Sequence, residues 1–394
     1  MKFESKAVHF ADRKRGSGCV PGTTPIYTAT TYVYDSMEDL DRIFGGEEEG
    51  QSYGRYDNPT RNALADLVNE LEGGAGAIAC SSGMSALHLG ILAALLDRPK
   101  RVVAANALYG ATTHLLMSVF GPMGVETALA DVCDLAAFEE AVVETKPGAV
   151  VMETISNPLL RVAALDKIAE ICARAEAPLI VDNTFATPML VRPLELGANI
   201  VVHSATKYMA GHGDVLGGVV ISDAANFSPI RTLSRTIGPT MSPFDSYLTM
   251  RGIKTMPLRV ERQCANACEV ASWLAAHPKV DRVYFTGDPK HPDAATIARL
   301  FPKNLQGAML AFDIKDAGRT EVFRFMEALK MIVPATSLGD VHTMALYPAM
   351  SSHREISAKM RHRLGIGDGL IRMSIGIEAA EDIVADLEQA FLLS

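Results

Sequence analysis

Residues 201–207 read VVHSATK: an apolar run passes into small hydroxyl residues and ends on a lysine, Lys207. The apolar part predicts a buried β-strand, and the hydroxyl residues predict a turn at its end. A lysine is a poor nucleophile while it is protonated, because its reference pKa is about 10.4. Partial burial beside another positive charge lowers that pKa and frees the amine for Schiff-base chemistry. Taken alone, the pattern also fits a solvated turn.

Two polar residues precede Lys207 at a regular spacing. Asp182 ends an apolar run, residues 178–181, and stands 25 positions before Lys207; Asn157 stands another 25 positions earlier. Such a repeat suits one strand, one connecting helix and the next strand of a parallel sheet. The three side chains are then expected at the carboxyl ends of strands, where open α/β sheets bind ligands. An imine-forming lysine and an aspartate that pairs with a pyridinium nitrogen are what a pyridoxal phosphate site needs.

Two longer stretches, DNTFATP at 182–188 and GANIVVHSATKY at 197–208, resemble the signature of the Cys/Met-metabolism family of pyridoxal phosphate enzymes. The family includes cystathionine γ-lyase, methionine γ-lyase, cystathionine γ-synthase and the O-acylhomoserine sulfhydrylases, and the resemblance covers residues 25–387. It implies pyridoxal 5'-phosphate as cofactor. It also implies an α/β chain with the PLP-dependent transferase type I (aspartate aminotransferase-like) fold, with a mostly parallel sheet and a smaller C-terminal α+β domain.

The resemblance also implies roles for single residues. Lys207 would bind the cofactor covalently and move protons, while Asp182 would pair with the ring nitrogen and Asn157 with the phenolic oxygen. Tyr109 would stack on the pyridine ring and act as an acid toward the leaving group, although a tyrosine there also fits a simple core gap. Arg372, in a strand pattern, would bind the substrate α-carboxylate with support from Ser337 and Asn157. The alternative for Arg372 is a strand-edge position with a solvated head.

The cofactor phosphate is expected where a helix begins. A short apolar strand at 77–80 is followed by SSGMS at 81–85 and then by a helical pattern, which points backbone N–H groups at an anion. An ordinary N-cap gives the same pattern. The stretch YGRYDNPT at 53–60 matches a family motif that reaches the phosphate of the neighbouring subunit. The alternative for this stretch is a turn with a solvated arginine. The predicted phosphate contacts are Tyr53, Arg55, Ser82, Gly83, Met84, Ser204 and Thr206.

The length of 394 residues predicts two domains. We expect an N-terminal arm at 1–60 that contacts a neighbouring subunit, a large PLP-binding domain at 61–255 and a C-terminal α+β domain at 256–394. The arm predicts a homo-oligomer, a dimer of dimers with active sites shared between subunits. No Gly-x-Gly-x-x-Gly opens the first βα unit, which argues against a nicotinamide-binding fold.

Composition narrows the class of partners. The net charge of -9 and the pI of about 5.6 argue against a nucleic-acid binder. The longest apolar run, at 85–96, is shorter than the ~18 residues of a membrane span, and the first residues lack the apolar core of a signal peptide. Six cysteines without a Cys-x-x-Cys pair predict reduced thiols, a cytoplasmic protein and no metal site.

The reaction is less well defined by the sequence. We expect a PLP-dependent C–S lyase that converts methionine-, homocysteine- or cystathionine-like amino acids to 2-oxobutanoate, ammonia and a thiol by γ-elimination. The alternative is γ-replacement, as in O-acylhomoserine sulfhydrylase or cystathionine γ-synthase. Family methionine γ-lyases carry a cysteine at the position of Ala111 and a Lys-Asp pair at Ser234-Arg235. Cystathionine-directed members usually carry a glutamate at the position of His342.

Overall fold

A computed structural model describes residues 1–13, 19–48, 50–354 and 357–393. The predicted N-terminal arm includes residues 14–18 and 49, and the predicted C-terminal domain includes 355–356 and 394; these lie outside the described residues. Within the described part, the chain builds two separate β-sheets, one of seven strands and one of five.

The first sheet has the order β1-β7-β6-β5-β4-β2-β3. Its strands are β1 (Gly76–Cys80), β2 (Arg101–Ala105), β3 (Glu126–Ala130), β4 (Ala149–Glu153), β5 (Leu179–Asp182), β6 (Ile200–His203) and β7 (Gly218–Ser222). Only β7 runs antiparallel to its neighbours, so the predicted mostly parallel sheet is confirmed. Most of these strands are continuous apolar runs because helices cover both faces of the sheet.

Helices connect and flank these strands. They are α1 (Phe3–His9), α2 (Met37–Gly45), α3 (Pro59–Glu72), α4 (Gly83–Ala94), α5 (Gly110–His114), α6 (Leu135–Thr145), α7 (Leu165–Arg174), α8 (Thr187–Leu190) and α9 (Ala224–Ile237). A π-helical turn, Leu115–Phe120, and two 3₁₀ turns, Gly121–Met123 and Pro193–Leu196, complete this part. The helical pattern expected after residues 81–85 corresponds to α4.

Local chemistry sets the ends of these helices. The Asn58 side chain accepts hydrogen bonds from the N–H groups of Thr60 and Arg61, which caps the start of α3. That helix ends at Gly73, whose φ of 74° is the left-handed conformation that glycine adopts most readily. The start of α4 is capped by Ser82, whose hydroxyl accepts a hydrogen bond from Ser85 N. These caps fix both ends of α3 and the start of α4.

The second sheet has the order β10-β11-β12-β9-β8. Its strands are β8 (Val280–Phe285), β9 (Met309–Ile314), β10 (Val333–Pro334), β11 (Met344–Leu346) and β12 (Leu370–Ser374). The helices of this part are α10 (Pro243–Ala276), α11 (Ala294–Leu300), α12 (Arg319–Ala328), α13 (Ala358–Arg363) and α14 (Ala380–Leu393). A 3₁₀ turn lies at Pro348–Met350. A core of its own, including Phe312, Phe325 and Phe391, packs this sheet against helices.

The long helix α10 joins the two sheets. It contains 34 residues and passes through the predicted domain boundary at 255/256 without interruption. Its first half packs on the core of the large sheet through Met250, Ile253 and Met256, and its second half packs on the small sheet. The division into an arm and two domains stays a prediction, since a continuous helix carries the chain from one sheet to the other.

Candidate active site

The predicted site residues lie where β4, β5 and β6 end. The strands are parallel neighbours, with Glu153 opposite Asp182 and Asp182 opposite Val202. Lys207 follows β6 by one turn, which is closed by the hydrogen bond from Lys207 N to Ser204 O at 3.1 Å. Asn157 follows β4, and its peptide bond to Pro158 is cis. The common strand direction therefore brings these polar groups to one edge of the sheet.

The amine of Lys207 points toward the small sheet. Its Nζ donates a hydrogen bond to Ser337 Oγ at 2.9 Å. Burial and, secondarily, the positive charge of Arg372 lower the pKa of Lys207 to about 8. With that pKa, about one-tenth of the lysine is the free amine at pH 7, far more than at the ordinary value, and the free amine is the form that attacks a carbonyl.

Arg372 lies in β12 and is 3% exposed. Its guanidinium donates to Asn157 Oδ1 at 3.1 Å and to the backbone oxygen of Ser337 at 3.2 Å. Its Nε is buried without a hydrogen-bond partner among the described residues. Burial lowers the pKa of Arg372 to about 10. A buried guanidinium with a donor left unpaired in the described part of the chain suits a ligand carboxylate, because an unsatisfied buried polar group is costly.

Burial and hydrogen bonding change the pKa of Asp182 in opposite directions. Burial raises the pKa of its carboxyl, whereas hydrogen bonding by Thr184 and the charge of His203 act to lower it. The N–H of Thr184 donates to Asp182 Oδ1 at 3.0 Å. Its strand neighbour Glu153 has a pKa raised to about 8, first by burial and then by the charge of Asp182. We therefore assign the negative charge of this carboxyl pair to Asp182.

Glycines and hydroxyl residues make a cradle beside the start of α4. A Cβ added to Gly83 would lie 2.8 Å from Ser204 Cβ, and one added to Gly218 would lie 2.2 Å from the backbone oxygen of Ser82. The hydroxyl of Thr206 accepts a hydrogen bond from Gly217 N at 3.0 Å. Ser82, Gly83 and Met84 are all half-buried at the start of the helix. The backbone approaches so closely here that only small residues fit, and the positive helix end favours an anion.

Tyr109 immediately precedes α5 and is 43% exposed. Its backbone N–H donates to Glu153 Oε1 at 2.6 Å. That hydrogen bond ties the loop after β2 to the carboxyl pair at the ends of β4 and β5. The exposure of the ring argues against the alternative that Tyr109 fills a gap in the core.

Tyr53 and Arg55 form a separate group. The Arg55 guanidinium donates to the backbone oxygen of Arg235 and lies 5.7 Å from the ring centre of Tyr53. It also lies 4.7 Å from the ring centre of Tyr56. Among the contacts of the described residues, neither side chain bonds to the other predicted cofactor ligands of the same chain. The structure thus brings together most of the predicted site, with Tyr53 and Arg55 as the exceptions.

Some residues at the site are not singled out by the sequence pattern. Glu153 is one, although its position at the end of an apolar strand repeats the signal that marks Asp182. His353 is another: it is 6% exposed, and burial together with the charge of Arg372 lowers its pKa to about 4. No local pattern identifies His353, because it reaches the site from a segment between β11 and α13.

A large cavity adjoins the site. It has a volume of about 1490 Å³ and is lined partly by Tyr109, Glu153, Asn157 and His353. Lys207 and Asp182 do not line it, so it is an approach to the site and does not include the reactive lysine. Ala111, where the family's methionine γ-lyases have a cysteine, also lines this cavity.

His342 lies apart from the buried groups. Its side chain is 64% exposed, and its Nδ1 lies 3.1 Å from Oδ1 of the buried Asp340. Arg235, at the other position that departs from the methionine γ-lyase pattern, forms an ion pair with Asp57. His342 therefore presents no anionic group to a substrate.

The described residues contain neither a metal-binding cluster nor a membrane-spanning helix. No group of three or more His, Cys, Asp and Glu residues there could hold a metal ion. None of the helices described is both long and apolar enough to cross a membrane. All six cysteines are free thiols.

The residues present fit pyridoxal 5'-phosphate. The half-buried start of α4, where Gly83 lies close to Ser204, offers backbone N–H groups to a phosphate, and Asp182 can pair with a protonated ring nitrogen. Lys207 offers an amine with a lowered pKa, and the unpartnered Nε of Arg372 remains for the carboxylate of an amino acid. These features suit the class of PLP-dependent enzymes.

Comparisons with known proteins agree with this class. Residues 4–392 match the model of the Cys/Met metabolism PLP-dependent enzymes. L-methionine γ-lyase from Pseudomonas putida is 38% identical, over 100% of this chain and 98% of that protein. O-succinylhomoserine sulfhydrylase from Pseudomonas aeruginosa is 36% identical, over 98% of this chain and 94% of that protein.

Solved structures show the same fold. One matching structure is that of an O-acetylhomoserine (thiol)-lyase from Campylobacter jejuni with pyridoxyl-lysine monophosphate. Its TM-score is 0.93 at 27% sequence identity, and the match covers 100% of both chains. This chain belongs to the Cys/Met metabolism family of PLP-dependent enzymes. The predicted family, type I fold and cofactor are thereby confirmed, and the protein is a PLP-dependent enzyme.

Proposed function

We propose that this enzyme is a C–S lyase that performs γ-elimination on sulfur amino acids. The substrates would resemble methionine, homocysteine or cystathionine, and the products would be 2-oxobutanoate, ammonia and a thiol. The observation that carries the proposal is the hydrogen-bonded series Lys207–Ser337–Arg372–Asn157, which places a reactive amine next to a buried guanidinium. An amino acid bound by that guanidinium through its carboxylate would present its α-carbon to Lys207.

Bound PLP supplies an electron sink that stabilises negative charge on the substrate α-carbon. The chain's own groups would supply the rest. Lys207 would hold the cofactor through its amine and would carry protons to and from the substrate Cα and Cβ. Asp182 would pair with the protonated ring nitrogen. Arg372 would orient the α-carboxylate with Asn157 and Ser337 beside it, and Tyr109 would stack on the ring and donate a proton to the departing sulfur.

The phosphate contacts are also part of the proposal. Ser82, Gly83, Met84, Ser204 and Thr206 would hold the phosphate from one subunit. Tyr53 and Arg55 would reach the phosphate of a neighbouring subunit, which the family resemblance supports and which requires a homo-oligomer. Arginine suits this role because its planar fork binds two phosphate oxygens at once. The six free thiols support a reducing compartment such as the cytoplasm.

One assay tests the reaction. The purified enzyme with PLP is supplied with methionine, homocysteine or cystathionine in turn, without an added nucleophile, and 2-oxobutanoate and thiol are measured. Release of both products from any of the three supports γ-elimination. If product forms only when an activated homoserine ester and a thiol are supplied together, the enzyme is not a lyase.

The second candidate is γ-replacement, as in an O-acylhomoserine sulfhydrylase or cystathionine γ-synthase. Two observations favour the sulfhydrylase form: the 36% identity to O-succinylhomoserine sulfhydrylase, and His342, which offers no carboxylate for the distal ammonium group of a cystathionine-like molecule. The same assay separates the two candidates, because replacement consumes a thiol whereas elimination releases one.

A further inference from the structure

Asn157 lies in a short turn after β4 that closes on itself. Ser156 N donates to Arg161 O at 2.9 Å, and Arg161 N donates to Ser156 Oγ at 3.0 Å. Within this turn, residues 156–161, Leu160 has a φ of 57°. A left-handed backbone is uncommon for leucine and persists only where the surroundings hold it. The shape of the turn, and with it the place of Asn157, therefore depends on contacts from other parts of the chain.

The near end of the turn faces the candidate active site. Arg372, in β12, donates to Asn157 Oδ1 at 3.1 Å. Because a guanidinium only donates, the amide oxygen of Asn157 faces Arg372, and its Nδ2 is the donor left for a ligand. Asn157 is 3% exposed and lines the cavity that adjoins the site. A displacement of the turn would thus move both the contact to Arg372 and the donor expected for the phenolic oxygen of the cofactor.

The far end of the turn is held by the segment before α11. Arg161 Nε and Nη2 donate to the two carboxylate oxygens of Asp293 at 2.6 and 2.8 Å, and Val162 N donates to Asp293 Oδ2 at 2.9 Å. His291 Nε2 lies 3.1 Å from Leu160 O. Since Asp293 N donates to Nδ1 of the same imidazole at 3.0 Å, Nε2 is the nitrogen that donates to Leu160. Four hydrogen bonds from one short segment therefore hold this end.

The Arg161–Asp293 pair has the geometry of a strong ion pair. The side chain of Asp293 is 10% exposed and that of Arg161 is 37% exposed. Two parallel N–H···O bonds join the guanidinium fork to the carboxylate, an arrangement that fixes direction as well as distance. Asp293 lies between β8 and β9, so the contact crosses from the large-sheet half of the chain to the small-sheet half. The pair thus fixes the orientation of the turn relative to Arg372.

We propose that Asp293 and Arg161 are positioning residues for Asn157. The turn that carries Asn157 is held at both ends by the small-sheet half of the chain, at one end by Arg372 and at the other by Asp293. The inference rests on the proposed contact of Asn157 with the phenolic oxygen of PLP, but it does not depend on whether the enzyme performs elimination or replacement.

The visible absorbance of bound PLP, followed against pH, tests the inference. A hydrogen bond from Asn157 favours the ionised phenolic oxygen, so Asn157→Ala should raise the midpoint of the absorbance change by about 1 pH unit. We expect Asp293→Asn to raise it by roughly half as much or more, and the double variant to match Asn157→Ala. Loss of the Asp293 charge alone acts in the opposite direction, because a nearby negative charge favours the protonated form. A rise in Asp293→Asn therefore reports the displaced amide.

Asp166→Asn is the matched control. Asp166, in α7, forms an ion pair with Arg299, in α11, so the variant removes a neighbouring carboxylate between the same two halves of the chain without a contact to the turn. The midpoint should stay at the wild-type value. If Asp293→Asn does not fold, Arg161→Lys must show the rise, since lysine keeps the charge but loses the fork.

The outcomes separate the inference from the proposed function. If Asn157→Ala raises the midpoint while Asp293→Asn leaves it unchanged or lowers it, the positioning role is overturned and the cofactor contact of Asn157 stands. An unchanged midpoint in Asn157→Ala refutes the cofactor contact itself, and the positioning role with it. A rise of equal size in Asp166→Asn and Asp293→Asn also overturns the inference, because any loosened contact between the two halves would then have the same effect.

Discussion

Lys207 and Ser337 are 130 residues apart in the sequence, yet Lys207 Nζ lies 2.9 Å from Ser337 Oγ. Lys207 follows a strand of the large sheet, whereas Ser337 lies between two strands of the small one. The backbone oxygen of Ser337 also accepts a hydrogen bond from Arg372. Ser337 therefore connects the group proposed to hold the cofactor with the group proposed to hold the substrate.

Replacing Lys207 by alanine should abolish covalent attachment of PLP. We expect kcat for 2-oxo acid release to fall by at least about 10²- to 10⁴-fold, the usual contribution of a positioned acid–base group. Attachment is measured by borohydride reduction followed by mass spectrometry of the protein. A Lys207→Ala protein that still carries a reduced cofactor adduct, or still turns over, would refute the assigned role of Lys207.

The pH dependence of cofactor attachment follows from the pKa of Lys207, which is lowered to about 8. Only the neutral amine attacks, so the attachment rate should rise with pH and reach half its maximum near pH 8, below the ordinary value of about 10.4. The rate is followed by visible absorbance after PLP is added to cofactor-free enzyme. Arg372→Gln removes a positive charge near the amine and should move the midpoint to higher pH. A midpoint that stays at the ordinary lysine value in the wild type would contradict the prediction.

Arg372→Lys should weaken substrate binding more than it slows the chemical step. Lysine keeps the charge but loses the planar fork, so one charged hydrogen bond worth about 1.5–3 kcal/mol is lost and KM should rise about 10- to 100-fold. Arg319→Lys is the matched control, because Arg319 is exposed at the start of α12 and its guanidinium lies over the ring of Phe323, outside the lining of the cavity that adjoins the site. An unchanged KM in Arg372→Lys would rule out the carboxylate contact.

Gly83→Ala should reduce PLP affinity. The added Cβ would lie 2.8 Å from Ser204 Cβ and 3.0 Å from its Cα, so the two walls of the phosphate cradle must separate. Overpacking of this kind costs about 1–3 kcal/mol, and the dissociation constant should rise about tenfold. Gly22→Ala serves as control, since a Cβ there meets nothing within 4 Å. Equal affinities for the two variants would place the phosphate elsewhere.

The sharing of sites between subunits can be tested by complementation. Arg55→Ala and Lys207→Ala should each be inactive alone. When the two are coexpressed, mixed dimers would contain one site with both residues intact, and about a quarter of the wild-type activity should return if subunits pair at random. If Arg55 acts within its own subunit, each mixed dimer instead retains only damaged sites and activity does not return.

The sequence by itself determined the family, the cofactor and the alternation of strands and helices. Lys207, Asp182 and Asn157 could be identified because each follows an apolar run at a regular spacing, and strand ends are encoded locally. Ser82 and Gly83 carry a local helix-start signal as well. Periodicity also predicted the strand that contains Arg372, but not what its guanidinium contacts.

Only the tertiary structure decided which of these groups meet. Arg372 reaches Asn157 across 215 residues, and His203 reaches Glu72 across 131. The pKa of Asp182 is raised by its own burial, and hydrogen bonding by Thr184 opposes that rise. Such contacts arise from the packing of two sheets and their helices. Burial and neighbouring charges at the site are therefore properties of the folded chain, which no local pattern of residues contains.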